Sequence, residues 1–137
     1  MTAPAFSGKG HWAPRLTLGL PAVDAAHRDL LDELARLADI ADAAFPESYA
    51  RFVAQVEKDF REEEDLMEAS NFSGLPSHRE QHARVLGGLH HVARQVMAGD
   101  LLPGREVVAL MPGWFLLHIE TMDSAMALCT QGEQASV

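Results

Sequence analysis

The feature that most constrains the fold of this chain is a hydrophobic repeat of three- and four-residue steps, present in four separate stretches. In the first stretch, leucines and alanines follow these steps between Leu30 and Ala41, with charged residues between them. This spacing aligns apolar side chains along one face of an α-helix. Prolines and glycines separate the stretches. The pattern therefore predicts four amphipathic helices, each with one face to bury.

The proline and glycine positions also predict where these helices begin and end. The expected ranges are about 24–46 for helix A, 47–71 for helix B, 76–100 for helix C and 105–130 for helix D. Asp24 is expected to cap helix A, and Pro112 predicts a kink or break in helix D. Gly87-Gly88 predicts a close helix approach or a bend in helix C. Short connections predict an all-α, antiparallel up-down-up-down four-helix bundle.

Length and charge restrict the class of protein. With 137 residues, 47% of them hydrophobic, the chain is expected to form one domain (1–137), made of an irregular N-terminal arm (1–21) and the bundle (22–131). The net charge of −9 argues against nucleic acid or an anionic membrane as a partner. No apolar stretch is long enough for a membrane span, and the N-terminus lacks the pattern of a secretory signal. A cytoplasmic protein is expected.

Pairs of metal-competent side chains lie on three of the predicted helices. Asp59 and Glu63 are four residues apart on helix B, as are His78 and His82 on helix C, so each pair shares a helix face. On helix D, His118 and Asp123 are five apart, which turns them about 140° from each other on an α-helix. That angle suits a two-metal site better than a single ion.

A two-metal site needs anionic bridges, because two cations held about 3.5–4 Å apart repel each other strongly. Glu63 and Asp123 are the candidate bridges, whereas Glu62, Glu64 and Asp65 are interpreted as a solvated helix face. Imidazole and carboxylate ligands suit iron, manganese or zinc, and a bundle core favours redox-active iron.

The segments that carry these residues resemble a bacterial hemerythrin, in order and over almost the whole chain. The matching segments are Trp12…Leu18-Gly19…Asp24-x-x-His27, Asp59-Phe60-Arg61-Glu62-Glu63-Glu64-Asp65-Leu66-Met67, His78-x-x-x-His82 and Trp114-Phe115-x-x-His118-Ile119-x-x-x-Asp123. The resemblance implies two non-haem, oxo- or hydroxo-bridged iron ions. It places His78, His82 and His118 on one ion and His27 on the second, with Glu63 and Asp123 as bridges.

The departure from the family is Asp59, which stands where hemerythrins have another histidine on the second, oxygen-binding iron. Aspartate could bind directly, bind through water, act from outside the ligand set or leave a coordination position open. If it binds, its charge is expected to favour the ferric state and to speed the loss of bound oxygen.

The resemblance implies reversible binding of dioxygen, or of another small diatomic or peroxide ligand, for transport, storage or sensing. A redox enzyme that reduces peroxide or nitric oxide is the alternative, and the Asp59 departure favours it. Iron handling and a metal-free interaction bundle are further alternatives. The metal-free form is disfavoured, because buried histidine and carboxylate groups carry a large desolvation cost. Signalling would require a separate partner protein.

Overall fold

The computed structural model describes residues 16–135, with side chains described as far as residue 131. All regular elements within that part of the chain are helical. In chain order they are α1 (Pro21–Asp39), a 3-10 turn (Asp42–Ala44), α2 (Phe45–Ala69), α3 (Leu75–Met97), α4 (Leu102–His118), a π turn (Ile119–Asp123) and α5 (Ser124–Ala135). Together, α4, the π turn and α5 form one continuous fourth helix. The predicted all-α four-helix bundle is confirmed.

The four helices pack in a ring, with α1 on α2, α2 on α3, α3 on α4, and α4 back on α1. The connections are four or five residues long (40–44, 70–74 and 98–101), so neighbouring helices run antiparallel. One end of the bundle therefore collects the first half of α1, the last third of α2, the start of α3 and the end of the fourth helix. The opposite end is filled by apolar side chains, among them Leu34, Leu37, Phe45, Tyr49, Phe52, Leu89, Val96 and Val108.

A proline lies within the first turn of each bundle helix, and not before the helix as the separators in the sequence suggested. Pro21, Pro46, Pro76 and Pro103 all occupy one of the first two helical positions. Proline is tolerated there, because the N–H that it lacks has no partner within the helix. The predicted starts were therefore up to three residues late. Asp24 is not the cap of α1; its carboxylate accepts the backbone N–H groups of residues 18 (2.8 Å) and 19 (3.2 Å).

The end of α1 lies at Asp39, about six residues before the predicted end. Ile40 has an extended backbone, with ψ 145°. The guanidinium of Arg105, on α4, donates to the carbonyl oxygens of Leu37 (3.1 Å) and Ile40 (2.6 Å), and it lies 4.3 Å over the ring of Phe45. These contacts satisfy carbonyl groups at the helix end, so α1 can stop before the hydrophobic pattern does.

The break expected at Pro112 and the close helix approach expected at Gly87-Gly88 do not occur, whereas a kink or bend at these positions stays a prediction. The helix continues through Pro112, and the irregularity of the fourth helix lies at the π turn instead. Gly87 and Gly88 are exposed, and a Cβ at either position would meet nothing within 4 Å. The close approach is at Gly104, where a Cβ would lie 2.6 Å from Val96 and 2.7 Å from Phe45.

Most of the predicted N-terminal arm, residues 1–15, lies outside the described residues. Where the description begins, Leu16 is buried. None of the described helices is both long and apolar enough to cross a membrane.

Candidate metal centre

Six of the seven predicted site residues lie together at the bundle end opposite the apolar core. They come from all four helices, and every one of them is buried: His27 on α1, Glu63 on α2, His78 and His82 on α3, His118 on α4 and Asp123 in the π turn. Because neighbouring helices are antiparallel, residues far apart in sequence reach the same level of the bundle. The antiparallel topology thus concentrates imidazoles and carboxylates at one depth.

The π turn brings His118 and Asp123 to the same side of the fourth helix. In this turn the N–H of residue i+5 bonds to the carbonyl of residue i, as the N–H of Ser124 does to Ile119. Residues five apart therefore lie nearly above one another. His118 Nε2 and Asp123 Oδ1 are 3.2 Å apart. The 140° separation expected from α-helical geometry does not occur, because the helix widens between these two residues.

The first cluster, called the three-histidine group here, consists of His78, His82 and His118. The Nε2 atom of His118 lies 3.0 Å from that of His78 and 3.3 Å from that of His82. One oxygen of each carboxylate faces these nitrogens. Glu63 Oε1 lies 3.5 Å from His78 Nε2, and Asp123 Oδ1 lies 3.0 Å from the same nitrogen.

The second cluster is centred on His27. Its Nε2 atom lies 3.0 Å from Glu63 Oε2 and 3.0 Å from Asp123 Oδ2. Both carboxylates therefore offer one oxygen to the three-histidine group and the other oxygen to His27. This arrangement is what a carboxylate needs in order to bridge two cations.

The distances fit a pair of six-coordinate metal ions. Adjacent ligands that each lie about 2.1 Å from one octahedral ion are about 3.0 Å apart, close to the 3.0–3.5 Å separations observed. Glu63 Oε1 and both carboxylate oxygens of Asp123 are buried, and apart from the surrounding imidazoles they have no hydrogen-bond partner. Such atoms are costly to bury unless a cation compensates them.

Comparison with known proteins agrees with this geometry. A family model described as the hemerythrin HHE cation binding domain matches residues 18–127. The chain belongs to the hemerythrin family. It is similar to a protein named bacteriohemerythrin from Ralstonia nicotianae, with 37% identity over 115 residues, which cover 84% of each chain.

Two imidazoles of the hemerythrin site are oriented by side chains that the sequence interpretation missed. His82 Nδ1 lies 2.9 Å from Glu64 Oε2, and His118 Nδ1 lies 2.9 Å from Gln81 Oε1. A proton held at Nδ1 leaves Nε2 free to bind a metal ion. Glu64, interpreted from the sequence as solvated, also accepts Arg79 Nε at 3.1 Å. The only signal for Glu64 and Gln81 was that each adjoins a predicted ligand.

Aromatic rings cover the same two imidazoles. The Phe60 ring stacks on His82, with centroids 3.7 Å apart and an angle of 6° between the planes. Trp114 stacks on His118 at 4.7 Å and 14°. Both aromatic residues lie next to the imidazoles, in segments that carried the resemblance to hemerythrins. These rings exclude water from the outer side of the three-histidine group.

The two shared carboxylates are ionised in the hemerythrin centre. Burial and the nearby Asp123 carboxylate act to raise the pKa of Glu63, but the surrounding imidazoles outweigh them and lower it to about 2. Burial likewise acts to raise the pKa of Asp123, and the imidazoles hold that pKa well below its usual range. The centre therefore carries two buried negative charges around which cations can collect.

Asp59, the seventh predicted residue, is not part of either cluster of potential ligands. It is buried one helical turn before Glu63, and its Oδ2 atom has no hydrogen-bond partner. Burial raises its pKa to about 6, and the neighbouring Glu62 carboxylate adds to that effect. Asp59 instead lines a cavity of about 230 Å³ between α1 and α2.

Proposed function

We propose that this chain is a non-haem di-iron protein that binds dioxygen reversibly, as a carrier, a store or a sensor. The observation that carries the proposal is that the two oxygens of each shared carboxylate contact different imidazoles. Glu63 and Asp123 each direct one oxygen to the three-histidine group and the other to His27. The cation-binding description of the family and the name of the similar protein support a metal-dependent role.

In this proposal the three-histidine group holds one iron ion and His27 holds the second, with Glu63 and Asp123 as bridges. The iron pair would supply electrons to a small ligand such as dioxygen. The chain supplies the rest: Glu64 and Gln81 fix which nitrogen of His82 and His118 faces inward. The unequal ligand sets leave the His27 side with fewer protein donors, so that side is where an external ligand can bind.

Apolar side chains shield the three-histidine group from water. Phe60 stacks on His82 and also packs against Phe115, and both phenyl rings are almost fully buried. Excluding bulk water strengthens electrostatic interactions within the site and slows proton delivery to it. These rings shield the three-histidine group, which leaves the His27 side as the position open to an external ligand.

A redox enzyme that reduces peroxide or nitric oxide is the second candidate function. The observation that favours it is Asp59, a buried carboxylate without a hydrogen-bond partner for Oδ2, at a cavity that adjoins Glu63. An acid beside the His27 cluster can deliver a proton to a bound ligand, which favours turnover over reversible binding.

The test is to load the full chain with iron, reduce it without oxygen, and record absorbance spectra during exposure to air and after oxygen removal. Charge-transfer bands that form and then reverse are expected for a carrier or sensor. Direct conversion to a stable ferric form, with turnover of peroxide or nitric oxide, would support the enzyme instead. His82→Gln should lower iron per chain, whereas His90→Gln, at an exposed histidine on the same helix, should not. A chain that binds no iron would contradict both functions.

A further inference from the structure

The cavity between α1 and α2 has an unusual lining for a gap between two helices. Helix α1 contributes only small apolar side chains, whereas α2 contributes three carboxylates and one leucine. The lining residues are Ala22, Val23, Ala26, Asp59, Glu62, Glu63 and Leu66. None of these side chains is basic. Because a void beside a buried centre is normally filled by side chains, this one requires an explanation.

The three carboxylates lie at increasing depth. The side chain of Glu62 is 58% exposed and marks the outer end. Asp59 is 7% exposed, and its Oδ2 atom is buried without a partner. Glu63 marks the inner end, because it also belongs to both clusters of the centre. The lining thus presents negative charge continuously from the surface to the candidate bridge.

The cavity is large enough for a hydrated ion. A water molecule takes about 30 Å³ in the liquid, so about 230 Å³ is enough space for a divalent cation with roughly six waters. A cation in the cavity can exchange those waters for carboxylate oxygens one at a time. Stepwise exchange avoids the large cost of moving a bare ion into the bundle.

We propose that this cavity, the α1–α2 port, is the route by which divalent metal ions enter and leave the centre. The port rests on the proposed function, because it serves the same metal site. Glu62 attracts the hydrated ion, Asp59 replaces part of its water, and Glu63 passes it to the His27 cluster. The charge of Lys58, whose Nζ lies 2.9 Å from Glu62 Oε1, limits the attraction at the outer end.

The first test removes a negative or a positive charge at the outer end of the port and compares the two effects on the rate of metal uptake. Co²⁺ uptake by the metal-free full chain is followed by stopped-flow quenching of tryptophan fluorescence, since Trp114 stacks on His118. At about 10 mM ionic strength, a charge about 7 Å from the passing ion changes its rate about fivefold. Glu62→Gln should therefore slow uptake by about that factor, and Lys58→Gln should speed it. Both effects should shrink to about twofold at 0.15 M salt.

Matched controls exist on the same helix. Glu47 and Arg51 form a similar exposed pair, 3.9 Å apart, about 22 Å along α2 from Glu62. Glu47→Gln and Arg51→Gln should change the uptake rate by less than about 1.5-fold at the same low ionic strength. If the Glu62 and Lys58 variants behave like these controls, or change the rate in the same direction as each other, the port is wrong.

The second test blocks the port without changing charge. Ala22 and Ala25 are both exposed on the first turns of α1, but only Ala22 lines the cavity. Ala22→Leu should slow Co²⁺ uptake severalfold and leave the final metal content per chain unchanged, whereas Ala25→Leu should change neither. Equal rates for the two variants would refute the port. A wild-type chain that takes up no Co²⁺ or iron would instead refute the proposed function, which separates the two failures.

Discussion

Metal binding by this chain should release about two protons per chain near pH 7. Burial by itself lowers the pKa of His27, but contacts with Asp123 and Glu63 outweigh it and raise that pKa to about 10. The same opposing causes raise the pKa of His78 to about 9. Both imidazoles are therefore protonated in the metal-free chain at pH 7, and metal ions must displace those protons in order to bind.

The apparent affinity for the metal pair should rise with pH. Two displaced protons increase the overall binding constant about a hundredfold per pH unit around pH 7 to 8, and the slope decreases above about pH 9. Stability of the metal-free chain should change in the opposite direction. Because both pKa values are raised above 6.5, the imidazolium contacts stabilise the chain fully below that pH. The contribution is lost as pH rises through about 9 and 10.

Isothermal titration of the metal-free chain with Co²⁺, in buffers of different ionisation enthalpy at one pH, measures the released protons directly. About two protons per chain are expected for the natural chain and about one for His27→Gln. The variant His90→Gln, at an exposed position, should match the natural chain. Release of fewer than about one proton, together with an affinity that does not depend on pH, would refute the reasoning.

Three further predictions concern the surroundings of the site and the core. Glu64→Gln should weaken Co²⁺ affinity by about 10- to 100-fold in a competition titration, because Glu64 orients His82, whereas Asp65→Asn at the exposed neighbouring position should not. Asp59→His should raise the reduction potential of the iron pair by on the order of 100 mV and slow autoxidation, because it removes a buried carboxylate charge beside Glu63 that favours the ferric state without binding the metal; equal potentials and rates would contradict this effect. Leu37→Ala should lower the free energy of unfolding by about 2–5 kcal/mol in urea with unchanged metal content, because Leu37 is fully buried in the core distant from the site. A loss under about 1 kcal/mol would contradict that packing.

Much of the bundle could be predicted because its signals are local. The repeat of Leu30, Leu34 and Leu37 defines one buried face of α1, and all three side chains are buried in the structure. Helix ends were less predictable, because they depend on contacts from other helices. Arg105 lies on α4 and is not part of the α1 hydrophobic pattern. Its hydrogen bonds to the carbonyl oxygens of Leu37 and Ile40 nevertheless explain where α1 ends.

The site was predictable in part for the same reason. Spacing alone grouped His78 with His82 and Asp59 with Glu63, but the resemblance to hemerythrins was needed to include His27. The π turn could not be read from the sequence, since five-residue spacing on an α-helix separates His118 from Asp123. Its widened backbone is visible only in the structure.

The environment of Asp59 could be predicted neither from residue spacing nor from the resemblance to hemerythrins. Its substitution for the family histidine was visible in the sequence, but its consequence depended on the space left around a shorter side chain. The structure places Asp59 outside both clusters and beside a cavity that reaches Glu63. The cytoplasmic location stays a prediction from the sequence.

The central claim is that Glu63 and Asp123 bridge two iron ions. The most direct measurement is electron paramagnetic resonance of the oxidised full chain, with iron per chain determined on the same sample. Two irons per chain and almost no ferric signal are expected. Two bridged ferric ions couple antiferromagnetically, so their ground state has no net spin. An intense signal from isolated high-spin ferric iron, or one iron per chain, would contradict the bridged pair.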